Sequence, residues 1–325
     1  MATWNMPENP SSTHRHWTLG DWDNRSAVRS KKSSYQLPAP PEIQQQLISK
    51  DWFPPAFIHY FKHPAIQQAS RAVQQRLAAN HLVYFLNYTT LLEHKVVNRS
   101  VQTLIHDELP LHLPQAMKIA ALQLYTDEGY HALFSFKLAE QVADYYRMAA
   151  WDSPPKRIRL LLERLDASHD QGRPLLWFLI GFVSETIIAK ELLSLSDQGL
   201  VSTVYQMFRE HLEDEARHSR YFSEVFQYLW PRLAASQQED SARQLIEIIM
   251  IFSEVDEPWL EASLTSVGLS STQARDIVNQ LQQPEARAQR ARSSAAATLL
   301  AMKRAGFFEE QAHYALFSQA GLIDA

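Results

Sequence analysis

Two copies of one pentapeptide constrain this chain more than anything else in it. Asp127-Glu128-Gly129-Tyr130-His131 and Asp214-Glu215-Ala216-Arg217-His218 both fall inside long stretches of helical periodicity. Residues three apart on a helix share a face. Glu128 and His131 can therefore grip one ion, and Glu215 and His218 another. A carboxylate paired with an imidazole suits iron, manganese or zinc. Two helices that each bring such a pair to a shared interior must pack as part of a bundle, with further carboxylates supplied by the other helices.

The rest of the chain provides those helices. Residues 1–41 are polar, locally basic (Arg15, Arg25, Arg29, Lys31, Lys32) and end in Pro38, Pro40 and Pro41. They read as an irregular arm laid over the bundle by Trp17 and Trp22. Helical periodicity covers about 64–105, as one bent helix or two. Pro114 then opens a helix running to about residue 149. A short helix follows Pro154 and Pro155. Further helices span about 174–195 and 202–228, separated by the stop signal Ser196-Asp197-Gln198-Gly199. Shorter helices fill 231–325. The domain reading is a polar arm (1–41) and one helical domain (42–325), with the bundle at about 64–230 and covering helices after it. With only 8 glycines in 325 residues, strand-rich folds and phosphate-cradling loops are disfavoured.

Two single glutamates complete the set. Glu93 and Glu185 each sit within strongly apolar helical runs, where a carboxylate is costly to bury unless it is paired or metal-bound. The order Glu, Glu-x-x-His, Glu, Glu-x-x-His, one block per helix, is that of a ferritin-like four-helix bundle, here all-α with additional N- and C-terminal helices. Four glutamates would neutralise two divalent irons in a buried site. His211 lies one turn before Glu215 on the same stripe and is read as a third histidine ligand. Asp127 and Asp214 are read as orienting groups, Asp214 toward His131 and Asp127 toward His218, because a ligating imidazole usually donates its other N–H to a carboxylate.

Composition narrows the chemistry. The chain has no cysteine, which excludes disulfides, iron–sulfur clusters, thiolate zinc and cysteine nucleophiles. It has no G-x-G-x-x-G or Walker pattern. A net charge of -5 offers no basic field for nucleic acid. No apolar run approaches the length of a membrane span and no signal pattern opens the chain, so a cytoplasmic protein with no membrane or nucleic-acid partner is the expectation. A metal-free acid–base pair of Glu128 and Glu215 is disfavoured by three histidines on the same faces.

Taken together, Glu93, Glu128-x-x-His131, Glu185 and His211-x-x-x-Glu215-x-x-His218 resemble the para-aminobenzoate N-oxygenase family of di-iron enzymes. The extra histidine one turn before the last Glu-x-x-His is the distinguishing feature, and the likeness covers about residues 60–230. The resemblance implies two irons on these seven residues and O2 as co-substrate. It also implies a peroxo-diferric species that oxygenates an amine nitrogen to hydroxylamine, nitroso or nitro. The substrate would be a small-molecule or carrier-tethered amine. With no flavin, haem or iron–sulfur motif, the electrons would come from an external donor, a separate protein, or from bound peroxide. A homodimer is expected where apolar outer stripes remain. Carbon hydroxylation or desaturation by the same site, or a non-catalytic iron-binding bundle, are the alternatives. Leu86, Thr90, Val97, Gly181, Met207 and Phe208, all within a turn or so of ligands, are the expected pocket, with Gly181 leaving room for O2 or substrate. No Arg or Lys occurs from Leu77 to His94, so an anionic substrate needs its cation from elsewhere.

Overall fold

Helix-forming sequence, with proline kept to the helix starts and junctions, produces a fold made almost entirely of helices. The computed structural model describes residues 18–30, 35–195 and 199–324. Four short helices come first: α1 (Trp22–Arg25), α2 (Ala27–Ser30), α3 (Pro40–Gln46) and α4 (Pro64–Gln67). The long helix α5 (Arg71–Leu91) starts at Ser70, whose hydroxyl accepts the Val73 N–H. It widens into a π-helical turn, Leu92–Val97, and resumes as α6 (Asn98–Ile105). The bent segment seen in the periodicity is therefore one continuous helical path with Glu93 inside the π turn. Such turns widen a helix locally and are frequent at functional sites.

Pro114 precedes α7 (Gln115–Tyr146), which ends where Arg147 adopts a left-handed conformation, φ 50°. Then come α8 (Lys156–Asp166), α9 (Arg173–Leu195) and α10 (Ser202–Leu229). The pairs α5–α7 and α9–α10 make the most extensive contacts, and α6 bridges α7 and α9. This is a ferritin-like four-helix bundle. The covering helices are α11 (Ala235–Phe252), α12 (Glu257–Ser266), α13 (Ser271–Gln282), α14 (Pro284–Ser294), α15 (Ala296–Arg304) and α16 (Gln311–Gln319). Among the described residues no strand forms. The only β pairing there is an isolated bridge, Asp51 with Leu200.

The core is split into two apolar clusters. One holds Val101, Leu124, Phe182 and Phe222. The other holds Leu82, Phe134, Ile188 and Phe208. Along α7 and α10 the clusters are separated by the segments that carry the two pentapeptides. The polar layer is thus sandwiched between dry regions, which strengthens every electrostatic interaction within it.

The N-terminal stretch departs from the irregular arm expected of 1–41. Its described part folds into α1 and α2, and Pro40 opens α3. Arg15, Trp17, Lys31 and Lys32 lie outside the described residues, as do Ser196, Asp197 and Gln198 of the expected stop signal.

Candidate metal centre

Helical spacing points Glu128 and His131 from α7 inward, and His211, Glu215 and His218 from α10 toward them. Glu93 and Glu185 enter from the π turn and from α9, and all seven side chains are buried. Their donor atoms form two overlapping groups, Glu93, His131, His211 and Glu215 in one and Glu128, His131, Glu215 and His218 in the other. Within each group the donors lie within 4.8 Å of one another. Glu185 belongs to neither group, but its Oε2 lies 3.7 Å from His218 Nδ1.

The two pentapeptides interleave. Glu128 Oε1 is 2.8 Å from His218 Nδ1 but 3.9 Å from His131 Nδ1 on its own helix. Glu215 Oε1 is 3.1 Å from His131 Nδ1, 3.2 Å from His211 Nε2 and 3.4 Å from His218 Nδ1. His211 Nε2 also lies 2.9 Å from Glu93 Oε1. The Glu-x-x-His pairs are therefore not separate: each carboxylate reaches across to the histidine of the other helix.

The outer nitrogens of two histidines meet the aspartates crosswise. His131 Nε2 is 3.0 Å from Asp214 Oδ2, and His218 Nε2 is 3.1 Å from Asp127 Oδ2. These contacts leave Nδ1 of each ring facing the glutamates. The aspartates are held in turn from outside the bundle. Trp22 Nε1 donates to Asp127 Oδ2 at 2.8 Å, and the Ala27 N–H donates to Asp214 Oδ2 at 3.0 Å. Arg217 also pairs with Asp214. Close by, Tyr35 donates to buried Glu210 at 2.5 Å. The periodicity could not reveal Trp22, Ala27 and Tyr35 as partners of this layer, because they lie about a hundred residues or more away in the chain.

The donor set tests whether ions fit. Every carboxylate oxygen of Glu93, Glu128, Glu185 and Glu215 is buried without a hydrogen-bond partner, as are His131 Nδ1, His211 Nε2 and His218 Nδ1. Leaving so many charged atoms orphaned would cost far more than a domain can offset. Two divalent cations would offer these donors the positive partners they lack. Protons do part of that work in the metal-free chain. Burial, reinforced by the charge of Glu215, pushes Glu128 up to about 7. Burial also raises Glu93 and Glu185. For His131 and His218 burial opposes the charged ring, yet the surrounding carboxylates raise both well above the usual imidazole range. Burial would raise Glu215 too, but the three histidines hold it well below the usual carboxylate range.

The family model described as P-aminobenzoate N-oxygenase AurF matches residues 11–306. The chain belongs to that family. It is accordingly a di-iron N-oxygenase, an oxidoreductase that uses O2, and its buried His and Glu groups are ones that could hold the two irons. No curated protein matches the chain. Among the described residues of this AurF-family protein, no helix is long and apolar enough to cross a membrane.

The side chains expected to form the pocket behave otherwise. Leu86, Val97, Met207 and Phe208 are core residues. The Thr90 hydroxyl is spent on the Leu86 and Ala132 carbonyls. Gly181 leaves no room for O2. A Cβ there would stand 2.1 Å from Ser100 Oγ, so the glycine serves the close approach of α9 to α6. None of the six lines the main cavity, which measures about 240 Å³. That cavity lies between α5 and α9 under the covering helices, walled by Phe53, Phe85, Tyr88 and Trp259 among others. Arg157, Lys190 and Arg290 bring positive charge to its wall, and Glu191, Glu254 and Asp256 line it as well. Arg157 donates from Nε to the Glu254 carbonyl, and its guanidinium carbon sits 5.6 Å from the centre of the Tyr88 ring. Arg290 is only 8% exposed, and Nε and Nη1 bond the Ser253 and Leu281 carbonyls. Its Nη2 has no partner. His59 and His81 also line the cavity, and burial lowers His81 to about 3, so that ring is neutral there.

Proposed function

We propose that this AurF-family protein oxygenates the nitrogen of an amine that carries an anionic group, bound in the cavity between α5 and α9. One observation carries the substrate reading. The two helices that bring Glu93 and Glu185 to the centre also wall a largely apolar cavity, lined by half-buried Arg157 and by buried Arg290, whose Nη2 has no hydrogen-bond partner. Tyr88 precedes Glu93 by five residues and Lys190 follows Glu185 by five. The cavity wall therefore lies about 7.5 Å along each helix axis from a glutamate. An amine whose anion rests on Arg157 and Arg290 would have its other end directed at those glutamates. Arg157 and Arg290 thus meet the need for a cation that the stretch from Leu77 to His94 does not supply. An aromatic or otherwise apolar body suits the rings between.

The balanced reaction is RNH2 + O2 + 2 e− + 2 H+ → RNHOH + H2O. Two irons held by Glu93, Glu128, His131, Glu185, His211, Glu215 and His218 would supply the reduction of O2. The protein's own part is to hold that pair among dry apolar clusters, to fix His131 and His218 through Asp214 and Asp127, and to keep the amine near Glu93 and Glu185. His211 adds a neutral ligand to a site whose charge four glutamates already balance.

The test is incubation of the iron(II) protein with 18O2, an external reductant and paired amines that differ only in a carboxylate or its methyl ester. The label should appear on nitrogen, with the free acid preferred. Label on carbon would replace the reading with carbon hydroxylation. Equal use of acid and ester would remove the anion from it.

A further inference from the structure

Reduction of the two irons needs electrons from outside, because the chain has no cysteine for an iron–sulfur cluster and no flavin motif. The ligand side chains are fully buried or nearly so, so no protein donor can touch them. Electrons must therefore cross the protein. The outer nitrogens of His131 and His218 are where the ligand set connects to the surroundings, and here the two halves of the site differ. The His131 branch runs to Asp214, which is bonded by the Ala27 N–H and the Arg217 guanidinium. Neither of those groups is redox-active. The His218 branch runs to Asp127, which is bonded by the Trp22 indole. Both of its hydrogen bonds, 2.8 Å from Trp22 Nε1 and 3.1 Å to His218 Nε2, end on the same oxygen, Oδ2.

We infer that Trp22, through Asp127 and His218, is the route by which electrons from an external one-electron donor protein reach the metal pair. A single carboxylate oxygen separates the indole from a ligand imidazole. Trp22 itself is half-buried at the start of the short helix α1, in which Asp23 and Arg25 are exposed. Arg29 also lies against it, its guanidinium carbon 5.9 Å from the ring centre. Two encounters, each delivering one electron from the reduced donor, would reduce a pair of ferric ions held by these residues. Both hydrogen bonds keep their protons throughout. Trp22 touches no substrate. It acts through Asp127, as a relay and positioning residue.

Trp22→Phe keeps an aromatic ring in place and removes the N–H. The measurement is anaerobic stopped-flow reduction of the diferric protein, followed by loss of its iron absorption, with iron content determined on the same samples. Reduced [2Fe–2S] ferredoxin, the probe protein, is compared with dithionite, whose small radical anion needs no docking surface. The expected result is two irons per chain, an unchanged rate with dithionite, and a rate with ferredoxin slowed by about tenfold, a loss of roughly 1.4 kcal/mol at the barrier. An unchanged ferredoxin rate at full iron content would overturn the route. Equal slowing with both donors, or loss of iron, would also overturn it, because Trp22 would then only hold Asp127 in place.

Discussion

The α7 and α10 pentapeptides differ in only two letters, Gly129-Tyr130 against Ala216-Arg217, yet they occupy unlike surroundings. Glu215 faces three imidazoles and is held well below the usual carboxylate range. Burial and the charge of Glu215 push Glu128 up to about 7. Asp214 is pinned by a backbone N–H and by Arg217, whereas Asp127 is met by an indole. Burial alone would raise Asp214, but its bond to His131 prevails and keeps its carboxyl below the usual range. Identical ligand spacing thus fixes where the donors point, and the partners around each motif decide how each donor is charged and held.

The largest expected effect would break the near-symmetry at its centre. Glu215→Ala removes the one carboxylate that approaches all three histidines. Iron content should fall from two toward zero, with activity down by far more than the 10–100-fold typical of losing a group that merely orients a ligand. Glu128→Ala should retain part of its iron. Metal analysis of the two variants side by side checks the ordering, and equal loss would mean that the motifs are interchangeable after all. His211→Ala sharpens the contrast, since α7 has no counterpart to His211. It should keep bound iron but lose N-oxygenation by about 100-fold. Full activity would show that His211 is not needed at the metal pair.

Next come the aspartates. Asp127→Asn and Asp214→Asn should each weaken iron binding by roughly 10–100-fold. They should differ in stability. Asparagine at 127 can still accept from the Trp22 indole, whereas asparagine at 214 leaves the Arg217 guanidinium without its charge partner. Asp214→Asn should therefore unfold at lower denaturant, by about 1–3 kcal/mol. A larger loss for Asp127→Asn would reverse the contrast. At the cavity, Arg290→Gln should raise KM for a carboxylate-bearing amine by about tenfold, one lost charge-assisted hydrogen bond, and leave the matching ester unaffected. Steady-state kinetics on the pair reads this directly.

These contrasts also mark what the amino-acid order could reveal. The i, i+3 and i, i+4 spacing of Glu128, His131, His211, Glu215 and His218 is local, so it was legible. So were Glu93 and Glu185, because a carboxylate in an apolar run stands out. The π turn around Glu93 was not, since helical periodicity carries no mark of one widened turn. Trp22, Arg157 and Arg290 reach their sites from distant segments, and no local pattern connects them to α5, α7 or α10. Gly181 was misread for a related reason. A missing side chain looks like space until the opposing residue, Ser100, is known.

Glycines offer the smallest and cleanest test. Gly181→Ala should destabilise by about 1–3 kcal/mol, the usual cost of overpacking, because its methyl would collide with Ser100 and approach Phe222. Gly129 lies in mid-helix within the first pentapeptide, with nothing within 4 Å of an added Cβ. Its counterpart in the second pentapeptide is Ala216. Gly129→Ala should therefore stabilise the fold, by roughly 0.5–1 kcal/mol, through the better helix propensity of alanine. Iron content should not change, since the added methyl faces away from Glu128 and His131. Denaturant unfolding measures the gain. A loss of stability would mean that α7 needs its bare backbone at this point, and that the one-letter difference from α10 is a contact rather than an accident of composition.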